Sequence, residues 1–516
     1  MTKWFNTAGP CKPDIHYTLP TSERLPQLKR LIEQENYFVI HAPRQTGKTT
    51  AMLTLAQELT ASGKYTAVMV SVEVGSAFPD QPEIAERRIL DAWQDAIDCW
   101  LPTELQPSFL TNGNPPQRIG SFLKSWAETS KRPLVVFIDE IDSLQNQTLI
   151  NVLRQLRDGF PRRPQSFPQC VALIGMRDVR DYKVASGGTD RLNTSSPFNI
   201  KVESLTLSNF TLEDVKSLYE QHTQSTGQIF NPKAINHAYY LTQGQPWLVN
   251  AIARQVTEYL AEDVNIPITV DLINQAKDIL IQRQDTHLDS LAERLREDRV
   301  KAIIEPILSG EELPNTPEDD RRYLLDLGLV IRSKEGGLKV ANPIYQEVIP
   351  KVLSQGTQDS LPMIQPSWLT PTGELNPQIL LETFLDFWRQ HGEPLFKSTP
   401  YPEIAPHLVL MAFLHRVVNG GGSLEREYAI GSGRMDICLR YGDVVLGMEL
   451  KVWKQGKPDP LPKGLVQLDK YLSGLNLDTG WLIIFDRRPD LPPISDRTTT
   501  EIAQSPQGRN ITVIRG

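Results

Sequence analysis

The stretch Tyr37–Gly63, YFVIHAPRQTGKTTAMLTLAQELTASG, decides the fold. Its first six residues are an apolar run of strand length, the next few are polar, and the remainder reads as a helix. Between strand and helix lies Ala42-Pro43-Arg44-Gln45-Thr46-Gly47-Lys48-Thr49, followed by Thr50. The run matches GxxxxGK[ST] except that Ala42 replaces the first glycine. In such a loop a tight turn aims several backbone N–H groups at phosphate oxygens, and the helix that follows adds the positive end of its dipole. Gly47 lets the backbone approach phosphate, Lys48 is placed for the β- and γ-phosphates, and Thr49 for Mg²⁺. Ala42 is a small departure, because that position needs a small residue more than a positive φ.

A second element turns a chance match into an expectation of ATP binding. Leu134–Ile138 is an apolar strand ending in Asp139-Glu140. A carboxylate at such a strand tip orders the Mg²⁺ shell, and the next one polarises the attacking water. The bland alternative is a solvated acidic turn. The next apolar run ends in Ile174-Gly-Met-Arg177-Asp178, where Arg177 is either a sensor of the γ-phosphate or part of a salt-bridged surface turn. Arg44 and Arg157 are candidates for phosphate or arginine-finger roles. His16-Tyr17 either flanks the adenine or packs an N-terminal arm. YTAVMVSVEV (65–74), LVVFIDEID (134–142) and CVALIGM (170–176) are short continuous apolar runs, which predict a parallel sheet covered on both faces by helices. Helical stretches around Glu83–Trp100 and Gln117–Thr129 fall between those strands.

At 516 residues the chain exceeds what one core supports. A net charge of −8 argues against coating nucleic acid by bulk electrostatics, so any DNA contact has to come from local basic patches. Cys11, Cys99, Cys170 and Cys438 stand far apart with no CxxC, which suits reduced thiols in a cytosol and not structural zinc. The start, MTKWFNTAGP, lacks the basic and apolar regions of a signal peptide, and no apolar run approaches membrane-spanning length. These features predict a cytoplasmic protein with no membrane segment.

Patterning divides the rest into a core over 1–205, a helical lid over 206–262, a winged helix over 263–353, a linker and helix over 354–401, and a final domain over 402–516. The winged helix rests on amphipathic helices followed by LLDLGLVIRSKEGGLKVANPIY (324–345), two apolar runs split at Lys334–Gly337. The stretch 354–377 is rich in Pro, Ser, Thr and Gln and reads as a linker. Asn376-Pro377 then reads as an N-cap with proline at the first helical position, opening a helix through Arg389.

APRQTGKTT, VVFIDEIDSL, LIGMRDVRDY and GQPWLVN (244–250) together resemble the AAA-like ATPases close to the STAND and archaeal-type groups. The resemblance spans about residues 1–350. It implies a nucleotide-driven switch, with Gly244 and Pro246 near the nucleotide, a winged helix after the lid, and ATP-dependent homo-oligomerisation.

In the last domain, Gly442-Asp443 between two apolar runs is a two-residue hairpin signal. With that turn, partner positions sum to 885. One face pairs Met435 with Leu450, Ile437 with Met448 and Leu439 with Leu446, and is core. The other pairs Asp436 with Glu449 and Arg434 with Lys451. Carboxylates about 4.5–5.5 Å apart at Cβ repel, and a hard divalent cation offsets that repulsion. Lys451 points to the same side as Glu449 and is placed to orient water or neutralise a transition state. A solvated face of alternating charges is the competing reading. GRMDI…MELK, then Gln467 and Tyr471 on the next helix and the strand WLIIF, is similar to the PD-(D/E)XK nuclease superfamily over about 402–516. The resemblance implies an α/β restriction-endonuclease-like fold in which Asp436 and Glu449 bind metal and Lys451 is catalytic. Glu403 is the candidate for a first-helix acid.

The combined expectation is an α/β chain using ATP and Mg²⁺. Its parallel-sheet ATPase core, lid and winged helix would regulate a C-terminal Mg²⁺-dependent nuclease acting on DNA, a combination that resembles prokaryotic defence proteins. The alternative is a nucleotide-dependent switch whose winged helix and nuclease-like domain bind nucleic acid or a partner protein without cutting.

Overall fold

The computed structural model describes residues 3–20, 24–108, 113–176, 200–283, 286–309, 313, 316–333, 336–360, 366–398, 405–418, 422–428 and 435–516. The chain forms two compact units. One comprises Met1–Gln282 with Arg322–Val330, the other Arg283–Arg321 with Ile331–Gly516, so the chain passes between them three times.

The first unit is built on β1 (Tyr37–His41), β2 (Thr66–Ser71), β3 (Leu134–Asp139), β4 (Cys170–Gly175) and β5 (Lys201–Thr206). All pair in parallel, in the order β2-β3-β4-β1-β5. Strand side chains alternate between faces. Val39, Val136, Ile138 and Leu173 pack with Trp93, Phe122 and Trp126 from helices Pro82–Trp100 and Arg118–Thr129. Phe38, Ile40, Phe137 and Ile174 pack with Ile32, Met52 and Leu55 on the opposite face. Burial on both faces explains why these strands read as unbroken apolar runs. β5, KVESLT, is an edge strand of mixed polarity and carries no such signal.

Residues 206–262, expected as a lid, contain helices Leu212–Thr226, Pro232–Thr242 and Pro246–Gln255, then a π-helical turn Val256–Leu260. Thr211 opens the first of these with a capping box, its hydroxyl accepting from the Asp214 N–H while the Asp214 carboxylate accepts from the Thr211 N–H.

Within 263–353 lie helices Val270–Arg283, Thr286–Arg294, Asp298–Ser309 and Glu318–Asp326, then the two-stranded pair β6 (Val330–Arg332) and β7 (Leu338–Val340). Lys334 and Glu335 of the expected turn lie outside the described residues.

The expected linker is a correction. Helix Pro343–Ser360 runs through its first part, and Trp368 and Leu375, each 3 % exposed, belong to the C-terminal core. Apolar side chains that pack here outweigh the Pro- and Thr-rich composition around them. Asn376 does cap the next helix, accepting from the N–H groups of Gln378 and Ile379, but that helix runs to Ser398. Its Phe384, Phe387 and Trp388 share a core with Phe413 of helix Ala405–Val418, so the C-terminal fold begins well before residue 402.

That fold contains a mixed sheet of β8 (Gly422–Tyr428), β9 (Met435–Tyr441), β10 (Val444–Trp453), β11 (Thr479–Asp486), β12 (Thr499–Gln504) and β13 (Asn510–Arg515). The order is β12-β13-β11-β10-β9-β8. β10, β11 and β13 are parallel neighbours, while β8, β9 and β12 pair antiparallel. Helix Leu461–Leu475 connects β10 to β11 and packs Leu468 and Leu472 against Leu482, Ile484 and Val513. Among the described residues no helix is long and apolar enough to cross a membrane.

Candidate functional site

The carboxyl ends of β1, β3 and β4 point to one edge of the parallel sheet, where α/β folds place ligands. β1 runs into the glycine loop, and Gly47 caps helix Lys48–Ala61 at φ +86°. The loop's other left-handed residue is Gln45 at φ +58°. Ala42, 1 % exposed, sits in the core below the turn, which explains why a small residue other than glycine serves there.

The loop is shaped by its own side chains. Lys48 Nζ donates to the carbonyls of Ala42 and Pro43, both at 2.8 Å, and Thr46 Oγ1 donates to the Pro43 carbonyl at 2.9 Å. Thr49 Oγ1 donates to Asp139 Oδ2 at 2.7 Å, joining the loop to the tip of β3. Asp139 Oδ1 accepts the Glu140 N–H at 2.9 Å. Glu140 itself takes a left-handed backbone, φ +57°, uncommon for a residue with a side chain.

The electrostatics follow from burial. Withdrawal from water lowers the Lys48 ammonium, opposed by the nearby carboxylates of Asp139, Asp142 and Glu140. Burial raises Asp139 against the pull of Thr49, the Glu140 N–H and Lys48. Burial, and then the charges of Asp139 and Asp142, push Glu140 up to about 7. Carboxylates raised in this way are the donor set a hard cation suits, and Mg²⁺ commonly takes one or two such groups together with hydroxyl, water and phosphate oxygens. Thr49 and Asp139 are the residues that would hold it. When bound, the ion would neutralise phosphate charge; Glu140 and Asp142 are further carboxylates lining the same cavity.

These groups line a cavity of about 710 Å³. Arg44, Gln45, Gly47, Thr50 and Pro246 also line it. Arg157, the other arginine candidate, is exposed in the last turn of helix Asn146–Gly159 and is not part of that lining. Arg177 lies outside the described residues. His16 and Tyr17 pack the N-terminal arm. Tyr17 is 1 % exposed, with its hydroxyl 2.6 Å from Ser225 Oγ and 3.2 Å from His222 Nδ1, and it reaches the cavity wall as well.

Several wall residues carry no sequence signal. Residues of the arm, among them Asn6 and Cys11, line the cavity, and the Cys11 N–H donates to Thr50 Oγ1 at 3.0 Å. Trp247 Nε1 donates to the Thr7 carbonyl at 2.8 Å, fixing the arm to the helical segment. Arg24 and Gln245 touch the loop itself. A loop-to-arm contact leaves no periodic trace, so only the fold reveals Asn6, Cys11 and Arg24, whereas Gln245 and Trp247 fall within the GQPWLVN stretch.

In the C-terminal unit the β9–β10 register runs from Tyr441↔Val444 to Ile437↔Met448, the pairing in which positions sum to 885. Ile437, Leu439, Leu446, Met448 and Leu450 form the expected apolar face. Glu449 and Lys451 alternate with them, at 1 % and 5 % exposure, beside Leu482 and Ile484 of β11, whose side chains pack under helix Leu461–Leu475. Lys451 Nζ donates to Glu449 Oε1. Tyr471 of that helix lies over Gly447. Asp436 precedes Ile437 in β9 and pairs with Glu427 of β8, but its side chain lies outside the described residues, as do Arg434 and Glu403. Among the described residues no group of three or more His, Cys, Asp or Glu side chains is placed to hold a metal.

Residues 38–177 match the model of the ATPase family associated with various cellular activities (AAA). The search of curated proteins gives no match. Among solved structures the chain is similar to the Walker-type ATPase PABY2304 of Pyrococcus abyssi, at 13 % identity over 67 % of this chain and 99 % of that one, with a TM-score of 0.48. It is also similar to the RuvB Holliday junction branch migration motor of Thermotoga maritima, at 16 % identity over 64 % and 93 % of the two chains and a TM-score of 0.35. The ORC2 protein of Aeropyrum pernix gives 14 % identity over 66 % and 93 %, with a TM-score of 0.37. Likenesses this distant transfer neither substrate nor partner.

Proposed function

We propose that this chain binds and hydrolyses Mg·ATP in its first unit and uses the nucleotide state to regulate a metal-dependent, DNA-cutting site in its second. The observation that carries the ATPase reading is the 2.7 Å bond from Thr49 to Asp139, which brings the two Mg²⁺-binding elements together beside Lys48 and Glu140. The AAA match over residues 38–177 supports the same reading. Loss of ATP binding in Lys48→Ala, with binding but no turnover in Glu140→Gln, tests it.

The nuclease reading is supported by the strand alternation that buries Glu449 and Lys451 beside Leu482 and Ile484, the residues on which helix Leu461–Leu475 packs. Asp436 and Glu449 would hold the metal and Lys451 would act at the scissile phosphate. Three passages of the chain between the units give a covalent route for regulation. The segment 263–353 is read as a winged helix that contacts DNA or a partner, and ATP as a promoter of self-association.

A second reading is a switch that binds nucleic acid or protein without cutting. It is favoured by one observation: Lys451 is paired with Glu449 inside the fold, which offsets the buried carboxylate's charge. Incubating the protein with linear, circular and single-stranded DNA in Mg²⁺ or Mn²⁺, with and without ATP, separates the two. Cutting lost in Asp436→Ala supports the nuclease; no cutting under any condition supports the switch.

A further inference from the structure

Arg24 and Gln245 hold two consecutive carbonyls of the phosphate loop. Arg24 Nη1 donates to the Thr46 carbonyl at 3.1 Å, and its Nη2 donates to the Ser208 carbonyl at 2.7 Å. The guanidinium also lies 4.8 Å from the centre of the Phe210 ring. Gln245 Nε2 donates to the Gln45 carbonyl at 3.4 Å, while Gln245 Oε1 accepts the Leu248 N–H at 2.6 Å and so caps helix Pro246–Gln255. Arg24, from the chain before β1, thus bridges the loop to Ser208 and Phe210 at the root of the helical segment, while Gln245 reaches the loop from the start of that segment's third helix.

Those two anchor points form one block. The Phe210 N–H donates to the Gly244 carbonyl at 2.8 Å. A Cβ on Gly244, which sits at φ +71°, would lie 1.8 Å from the Phe210 carbonyl oxygen, so only glycine permits this approach. Arg24 has no ion-pair partner among the described residues; burial pulls its guanidinium down to about 10, with Asp214 opposing from a distance. Its polar contacts are therefore carbonyls, and one of them belongs to the loop.

The geometry has a consequence because a peptide unit is planar and trans. The carbonyl of residue i and the N–H of residue i+1 share one plane and point in opposite directions. Holding the Gln45 carbonyl fixes the Thr46 N–H, and holding the Thr46 carbonyl fixes the Gly47 N–H. N–H groups at these positions are the ones a phosphate loop offers to its ligand. A charged donor on the carbonyl also polarises its peptide unit and strengthens the opposite N–H as a donor.

We propose that Arg24 and Gln245 are positioning residues that orient the Thr46 and Gly47 amides toward the nucleotide's phosphates and make the helical segment's placement depend on phosphate occupancy. The inference rests on the ATP-binding reading above. Neither residue need touch the nucleotide; both act through the loop.

The test uses the full chain with Arg24→Met, Arg24→Lys and Gln245→Glu. The last keeps an oxygen for the Leu248 N–H, removes the donor to Gln45 and adds a negative charge, so exchange in the nucleotide-free protein reads the lost donor apart from the charge's own effect on ATP affinity. ATP affinity is measured by titration, and hydrogen exchange is followed in the nucleotide-free protein. Arg24→Met and Gln245→Glu are expected to weaken ATP binding about tenfold each, the scale of one or two lost oriented hydrogen bonds. Exchange should speed up over residues 44–50 and stay unchanged in β3 and β4. Arg24→Lys should retain part of the affinity. ATP affinity within about twofold of the unsubstituted chain in both Arg24→Met and Gln245→Glu, or exchange accelerated throughout the first unit, overturns the proposal. Failure of the unsubstituted chain to bind ATP sinks the ATPase reading and this inference together, so the two failures are distinguishable.

Discussion

Thr49 and Asp139, ninety positions apart, are joined by a 2.7 Å hydrogen bond that ties the head of the loop helix to the tip of β3. The bond holds the Asp139 carboxylate where a cation bound to Thr49 would need it. Asp139→Asn keeps the shape and removes the charge. Turnover should fall at least about a hundredfold while the fold survives, the scale of removing one group that stabilises developing charge. Phosphate release followed across a Mg²⁺ titration reads this out; normal turnover at low Mg²⁺ would count against the assignment.

Lys48 and Glu140 divide binding from chemistry. Lys48→Ala should abolish measurable ATP binding, and Glu140→Gln should bind ATP while hydrolysing it at a small fraction of the normal rate. Equilibrium titration alongside a turnover assay separates the two. Tight binding by the lysine variant would refute the phosphate-site assignment.

Glu449 and Lys451 form an ion pair at 1 % and 5 % exposure. Removing one partner takes away the compensation of a buried charge, so Lys451→Met should destabilise the C-terminal unit by about 3–5 kcal/mol. The double variant with Glu449→Met should recover most of that loss. Denaturant unfolding of the three variants measures it. If divalent metal raises the midpoint of Lys451→Met specifically, Glu449 is a metal ligand; if it does not, the pair is structural.

His287, 8 % exposed, has Nε2 2.5 Å from the Tyr345 hydroxyl, and burial lowers it to about 4. The unfolded chain takes up that proton first as pH falls from roughly 6.5, so stability present at neutral pH is lost progressively toward pH 4. At pH 5 the loss from this group is about 2 kcal/mol. Unfolding midpoints at pH 7 and pH 5 should therefore converge in His287→Gln. An unchanged pH dependence in that variant would contradict the buried neutral imidazole.

The aromatic cluster joining helix Pro377–Ser398 to helix Ala405–Val418 sets the limit of an isolable C-terminal fragment. A fragment starting at residue 402 lacks Trp368, Phe384, Phe387 and Trp388, and should fail to show a cooperative thermal transition. One starting at Pro343 should unfold cooperatively. Circular dichroism on both fragments decides it.

What the sequence determined by itself was local and periodic. Strands buried on both faces showed as apolar runs at β1 to β4, the glycine loop and the Asp139-Glu140 tip lay next to them, and the turn at Gly442-Asp443 fixed a register through a period of two. β5 and the packed stretch after Trp368 were not legible, because an edge strand and a short buried segment carry too few apolar positions to make a period. Tertiary structure alone decided which distant side chains meet the loop. Arg24 and Gln245 reach it through loop carbonyls and the N-terminal arm through the Cys11 N–H on the Thr50 hydroxyl; backbone groups are common to every residue, so residue types did not announce Arg24 or Cys11, whereas Gln245 lay within the GQPWLVN stretch.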